Sequence, residues 1–247
     1  MIRNTFIFLP GFGEQKEKEL WKQGIDNWND FLKAKSIEGI SEEKKGKYDK
    51  IIEDAKNRLF LEDYSYFAQL LPLSQHWRLY QLLGGDSFFL DIETSDNNRD
   101  ITVVGLFDGY DTKVFVNGVN FSRDSFTSTL AECNMVITFN GATFDMPKLE
   151  KYFSFRFNKP HIDLRHVCSK VGLKNGLKEI EKELGIKRCE DVNLLRGHNA
   201  VELWKAWKAT GDRYFLELLI KYNEEDIVNL KQIADYAIPK LWEKVRG

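Results

Sequence analysis

The sequence predicts a mixed α/β fold, an open sheet covered by helices and preceded by a mainly helical segment over residues 1–83. Three observations predict it. Apolar residues in 1–83 recur at three-and-four spacing. Gly84-Gly85 breaks that pattern, and apolar runs of strand length follow, two of them joined by a Gly-containing turn. After the turn, strand-like and helical stretches alternate, the order of an open sheet with helices packed on it.

In the helical segment, residues 14–24 carry Leu20 and Trp21, and 27–35 carry Trp28, Phe31 and Leu32. Residues 41–61 place Ile51, Ile52, Ala55 and Leu59 at helical spacing, and 64–83 are rich in Leu and aromatics. Asp26, Ser41 and Asp63 are the expected N-caps. The apolar run 5–9 reads as extended. Gly11-Phe12-Gly13 then stands before a helix and resembles the turn of a helix-hairpin-helix, which grips nucleic-acid backbone through glycine amides. The extended run stands where that motif's first helix would be, and 13 Lys and Arg are offset by 13 acids over 1–83. A turn that packs this segment onto the rest of the chain is therefore the favoured reading. Trp21, Trp28 and Trp77 read as core before they read as base-stacking residues.

The boundary falls at 83/84. Residues 88–93 are a strand; 101–107 and 113–116 flank Asp108-Gly109-Tyr110-Asp111 as a hairpin. Residues 123–132 are helical, 135–139 a buried strand, 144–153 helical and 161–164 a short strand. Helices close the chain at 176–184, 200–209 and about 214–241.

With 247 residues, 43% of them hydrophobic and 30% charged, the chain can bury a core. A net charge of −2 gives no basic field to advertise a nucleic-acid partner, which weakens a pure binding role and leaves an enzymatic one open. Cys133, Cys168 and Cys189 lack CxxC spacing, so free thiols are expected, with no disulfide framework or zinc ribbon. No leader is evident and no run approaches the roughly 20 apolar residues of a membrane span. The expectation is a soluble cytoplasmic protein without membrane association.

The chemistry concentrates in three short patterns. In "SFFLDIETSD" Asp91 and Glu93 share one face of a strand, while Leu90, Ile92 and Thr94 point the other way. Two such carboxylates beside a core repel each other unless a cation joins them. "VITFNGATFDMP" places Asp145 in the first turn of a helix, where the dipole favours an anion. "YNEEDIVNL" sets Tyr222 and Asp226 four apart on one helical face. Each is common alone; their order and spacing together are specific.

D-x-E, then N-x-x-x-F-D, then Y-x-x-x-D resembles the three exonuclease motifs of the DnaQ-like superfamily, with a ribonuclease-H-like fold, in its DEDDy subgroup. "DIETS", "TFNGATFDMP", "HIDLRH", "GLKEIEKELGI", "AVELW" and "YNEEDIVNL" are similar to the YprB-type ribonuclease-H-like domain, over roughly residues 86–235. The resemblance implies a 3′-to-5′ exonuclease that shortens single-stranded nucleic acid from its 3′ end, DNA favoured over RNA. A non-catalytic binding protein and a structure-specific endonuclease are the alternatives. Asp91, Glu93, Asp145 and Asp226 would hold two Mg²⁺ or Mn²⁺ ions about 4 Å apart, hard cations suited to oxygen ligands. Tyr222, with an ordinary pKa of about 10, would orient the attacking water and not serve as its base. Asn140, Thr94 and Lys178 are candidate substrate-binding residues. His161, Asp163 and His166 could face the site, but anchoring the strand end is their favoured role.

Overall fold

The computed structural model describes residues 1–96, 100–188 and 200–247; Cys189 lies outside the described residues. The sheet has five strands: β1 (Ser87–Thr94), β2 (Ile101–Phe107), β3 (Thr112–Val116), β4 (Met135–Thr138) and β5 (His161–Asp163). Their order is β3-β2-β1-β4-β5, so the strand carrying Asp91 and Glu93 is central. β1 runs antiparallel to β2, with Asp91 opposite Gly105, and parallel to β4, with Phe89 opposite Ile137. The β2–β3 connection is the expected hairpin: Asp108 Oδ1 accepts the N–H groups of Tyr110 and Asp111, both at 2.8 Å.

Alternation along the strands supplies two apolar faces. Phe88, Leu90, Ile92, Val104 and Val136 pack under Phe126, Leu130, Met146, Leu149 and Phe153. These come from α6 (Arg123–Ala131) and α7 (Asp145–Phe153). Phe89, Phe107 and Ile137 face the other way, against Ile227, Leu230 and Ile233 of α11 (Arg213–Arg246). Val103 and Val116 on this side meet Leu218 and Leu219 of α11 and Leu203 of α10 (Ala200–Thr210). The long helix outruns the expected 214–241, because Trp242 and Val245 pack on the amino-terminal segment.

That segment contains α1 (Glu14–Lys22), α2 (Trp28–Lys33), α3 (Glu42–Phe60), α4 (Tyr64–Leu70) and α5 (Tyr80–Leu83). Ser41 and Asp63 cap α3 and α4 as expected, but the cap of α2 is Asn27, whose Oδ1 accepts from Asn29 and Asp30 N–H. Asp26 instead pairs with Arg246 at 2.6 Å. The stretch 64–83 is not one helix: Pro72 interrupts it, and Leu73–Leu79 form a 3₁₀ helix. Residues 5–9 form turns, not a strand. Glu17 Oε1 accepts the Phe6 N–H at 2.7 Å, and Trp28 Nε1 donates to the Thr5 carbonyl at 2.7 Å, which satisfies the backbone without a sheet. No helix therefore precedes Gly11-Phe12-Gly13 in the manner of a helix-hairpin-helix beyond a single 3₁₀ turn at Ile2–Asn4.

On both outer strands a side chain takes part of the free edge. The His161 N–H on β5 donates to His76 Nδ1 at 3.0 Å, and the other ring nitrogen of His76 lies 3.2 Å from the Leu71 carbonyl. On β3 the Asn120 amide accepts from Val116 N–H at 2.6 Å and donates to the Val114 carbonyl at 2.9 Å. Among the described residues, no helix is long and apolar enough to cross a membrane.

Candidate metal centre

Asp91 and Glu93 leave the same face of β1 and look towards α11, which brings Asp226 down onto them. One carboxylate oxygen from each of the three lies within 4.8 Å of the others. Asp226 is buried and the other two are half-buried. Asp145 reaches the cluster from the opposite side of the sheet. β4 stops pairing with β1 at Phe89, which leaves the carboxyl-terminal end of β1 open on that edge. Asp145, in the first turn of α7, closes the gap: its Oδ1 accepts the Ile92 N–H at 3.0 Å. The fourth acid is thus tied to the backbone between Asp91 and Glu93, outside the tight group of three.

Burial raises the pKa of all four groups, and for Asp91 and Glu93 the repulsion of neighbouring acids in the cluster adds to it. Asp91 is pushed well above the carboxylate range by burial, then by Asp145, Glu93 and Asp226. Glu93 rises to about 8, chiefly by burial and then through Asp226 and Asp145, with Lys178 opposing. Asp145 rises to about 7 by burial, against the Ile92 hydrogen bond that favours its charge. Asp226 rises to about 6 by burial, held down by Arg188. Four converging oxygen donors that resist ionisation without a counter-charge fit a hard divalent cation.

Tyr222 lies one turn before Asp226, half-buried. Burial and the charges of Asp226 and Glu93 raise its hydroxyl further above its ordinary value, so it stays protonated at neutral pH. The Lys178 ammonium stands 4.8 Å from its ring centre, at the exposed start of α9 (Leu177–Glu183). Lys178 therefore sits beside the acids, as its effect on Glu93 also shows.

The other sequence candidates are placed differently. Asn140 takes a left-handed backbone (φ 68°), its N–H donates to Asp163 Oδ1 at 2.8 Å, and its side-chain oxygen accepts from Arg165. Thr94 is buried at the end of β1, where the pairing with β2 shifts register. Asp163 accepts three backbone N–H groups, from Asn140, Ala142 and Arg165, and caps α8 (Leu164–Lys170), a helix the sequence reading omitted. His161 bonds Thr138 Oγ1 at 2.8 Å, and burial lowers its pKa to about 4. His166 is exposed, 3.8 Å from Asp163. Asp163, and His161 through Thr138, brace the loop that delivers Asp145, and His166 does not touch it. In that loop a Cβ on Gly141 would lie 2.3 Å from Thr138 Oγ1, so only glycine fits.

Two supporting groups escaped the sequence reading. Asn223, fully buried, donates from Nδ2 to Asp91 Oδ2 at 3.0 Å. It fits because residue 105 is glycine: a Cβ there would come within 2.0 Å of Asn223 Oδ1. A glycine inside an apolar strand is a legible sign of close approach. Arg188 forks onto Glu181 at 2.6 and 2.8 Å and also donates to Asp226 Oδ1. Nothing local in the sequence announces that network.

A comparison with solved structures finds similarity to the family B DNA polymerase from the hyperthermophilic archaeon Pyrobaculum calidifontis, at 16% identity and a TM-score of 0.49. It covers 62% of this chain, and the chain spans 24% of the polymerase. A search of curated proteins finds no match. A model of the RNase H superfamily matches residues 88–238, a stretch that contains all four acids and Tyr222. The protein belongs to the RNase H superfamily.

Proposed function

We propose that the protein is a divalent-metal-dependent 3′-to-5′ exonuclease of the DnaQ-like DEDDy type, close to the YprB-type domain. Its substrate is single-stranded nucleic acid, DNA before RNA. The observation that carries this reading is the convergence of Asp91, Glu93 and Asp226 within 4.8 Å, with Asp145 bonded to the backbone between the first two. Acids this close and this buried oppose one another unless cations join them.

In this reading Asp91, Glu93, Asp145 and Asp226 hold two Mg²⁺ or Mn²⁺ ions. The ions supply charge neutralisation at the scissile phosphate and a more acidic water. The chain's own groups do the positioning. Asn223 orients Asp91, and the Ile92 N–H orients Asp145. The Tyr222 hydroxyl, kept protonated, is a hydrogen-bond donor or acceptor for the attacking water and no base. Lys178, the exposed cation beside the acids, receives a phosphate of the incoming strand.

Degradation of end-labelled single-stranded DNA and RNA with Mg²⁺ or Mn²⁺ tests this. Shortening from the 3′ end is expected, abolished by EDTA and reduced at least 10³-fold, roughly the loss of one major charge-stabilising group, in Asp91→Ala and Asp226→Ala. Circular strands should stay intact; cutting them would point to an endonuclease. Persistence of activity in either variant would sink the mechanism.

A further inference from the structure

Besides the four acids, the site buries a fifth carboxylate, Glu181, only 2% exposed. A fifth negative charge beside four others needs a reason, and its partners give one. Arg188 takes both Glu181 oxygens, Nε to Oε2 at 2.6 Å and Nη2 to Oε1 at 2.8 Å. The same Nη2 donates onward to Asp226 Oδ1. Asn229, one turn beyond Asp226 on α11 and also buried, donates to Glu181 Oε1 at 3.0 Å. The network joins α9, the residues after it and two turns of α11.

A planar guanidinium gripped along its Nε–Nη2 edge by both Glu181 oxygens cannot rotate freely, so the second N–H of Nη2 points in a fixed direction. That bond occupies one oxygen of Asp226 and fixes the carboxylate's torsion. We propose that Arg188, anchored by Glu181, is a positioning residue for Asp226. It holds the carboxylate in the orientation that keeps it within reach of Asp91 and Glu93, and so sets the affinity of the site for divalent cations. The inference rests on the metal-centre reading above. It also accounts for the burial of Glu181: that acid neutralises and steers the arginine without adding a ligand. Arg188 thus gives the site a rigid geometry at no net charge, since Glu181 cancels it.

The alternative is a salt bridge that only stabilises the fold. A double variant separates the two. Arg188→Met strands the buried Glu181 and should lower both the melting temperature and Mn²⁺ affinity. Glu181→Gln/Arg188→Met replaces the pair with neutral side chains of similar size, which restores stability but leaves Asp226 unsteered. Mn²⁺ binding to the full chain, followed by titration calorimetry, should be 10–100-fold weaker in the double variant, the range for outer partners of metal ligands. Arg188→Lys, which keeps charge and loses the fork, should fall in the same range. Double-variant and lysine-variant affinities within twofold of the unaltered chain would overturn the proposal while leaving the metal centre standing. An unaltered chain that binds no Mn²⁺ would overturn both.

Discussion

Among the described residues Glu93 is the acid with the least support: none of them gives its side chain a hydrogen bond like those that hold Asp91, Asp145 and Asp226. Burial, and then Asp226 and Asp145, push its pKa up to about 8, against about 7 for Asp145 and about 6 for Asp226. In an unfolded chain such carboxyls lose their protons near pH 4. Between roughly pH 4 and 8 the folded, metal-free protein therefore binds more protons than the unfolded one, and stability falls as pH rises. The melting temperature of EDTA-treated protein should drop from pH 5 to pH 8, less so in Glu93→Gln, and Mn²⁺ should recover it at pH 8. A curve that climbs over that interval and ignores Glu93→Gln would contradict the assignment. At this scale the sequence was informative about the acids, because strand alternation and the four-residue helical spacing are local rules. Arg188 was not legible, since which of many surface cations folds back onto Asp226 is decided by tertiary packing.

The loop between β4 and α7 shows how an element is aimed. It turns through the left-handed Asn140 and the tight Thr138–Gly141 contact, and Asp163 at the end of β5 accepts the N–H groups of Asn140 and Ala142 from the loop and of Arg165 from α8. Replacing Asp163 with Ala leaves those donors unsatisfied and should cost about 1–3 kcal/mol for the partly buried set. Urea denaturation would measure that loss, and nuclease activity should fall with it because Asp145 follows directly from the loop. A variant as stable as the parent would remove this role. The reading of 161–164 as a simple strand missed that Asp163 is both the last strand residue and the cap of α8. One residue serving two elements leaves no gap for a turn signal. Residues 64–83 were overread for the opposite reason: Leu and aromatic content suggested a helix, while Pro72, whose ring and missing N–H disfavour a helix interior, marks where the chain breaks into α4, a 3₁₀ helix and α5.

Across the whole molecule the amino-terminal segment and the sheet share one core, running from Ile2 and Phe6 to Leu241. At its centre Glu17 and Arg78 form an ion pair at 2.9 Å, both fully buried. Glu17 also accepts from Thr5 and Phe6, and the Arg78 guanidinium lies over the rings of Trp77 and Trp242, 4.9 and 5.8 Å from their centres. Arg78→Met leaves Glu17 charged and unpaired and should destabilise the protein by about 3–5 kcal/mol. Equilibrium unfolding would measure this, and a loss below about 1 kcal/mol, the worth of an exposed pair, would refute the burial argument. Neither Glu17 nor Arg78 stood out in the sequence, where 13 basic and 13 acidic positions over 1–83 look like an ordinary solvated surface.

The contacts of His76 with β5 and of Asn120 with β3 have a further effect. A sheet margin with bare amides and carbonyls is a template on which other chains can polymerise. Here an imidazole caps one N–H of one rim, and a carboxamide takes an N–H and a carbonyl of the other. An incoming strand would have to displace these side chains before it could pair there, which discourages copies of the chain from stacking into fibrils.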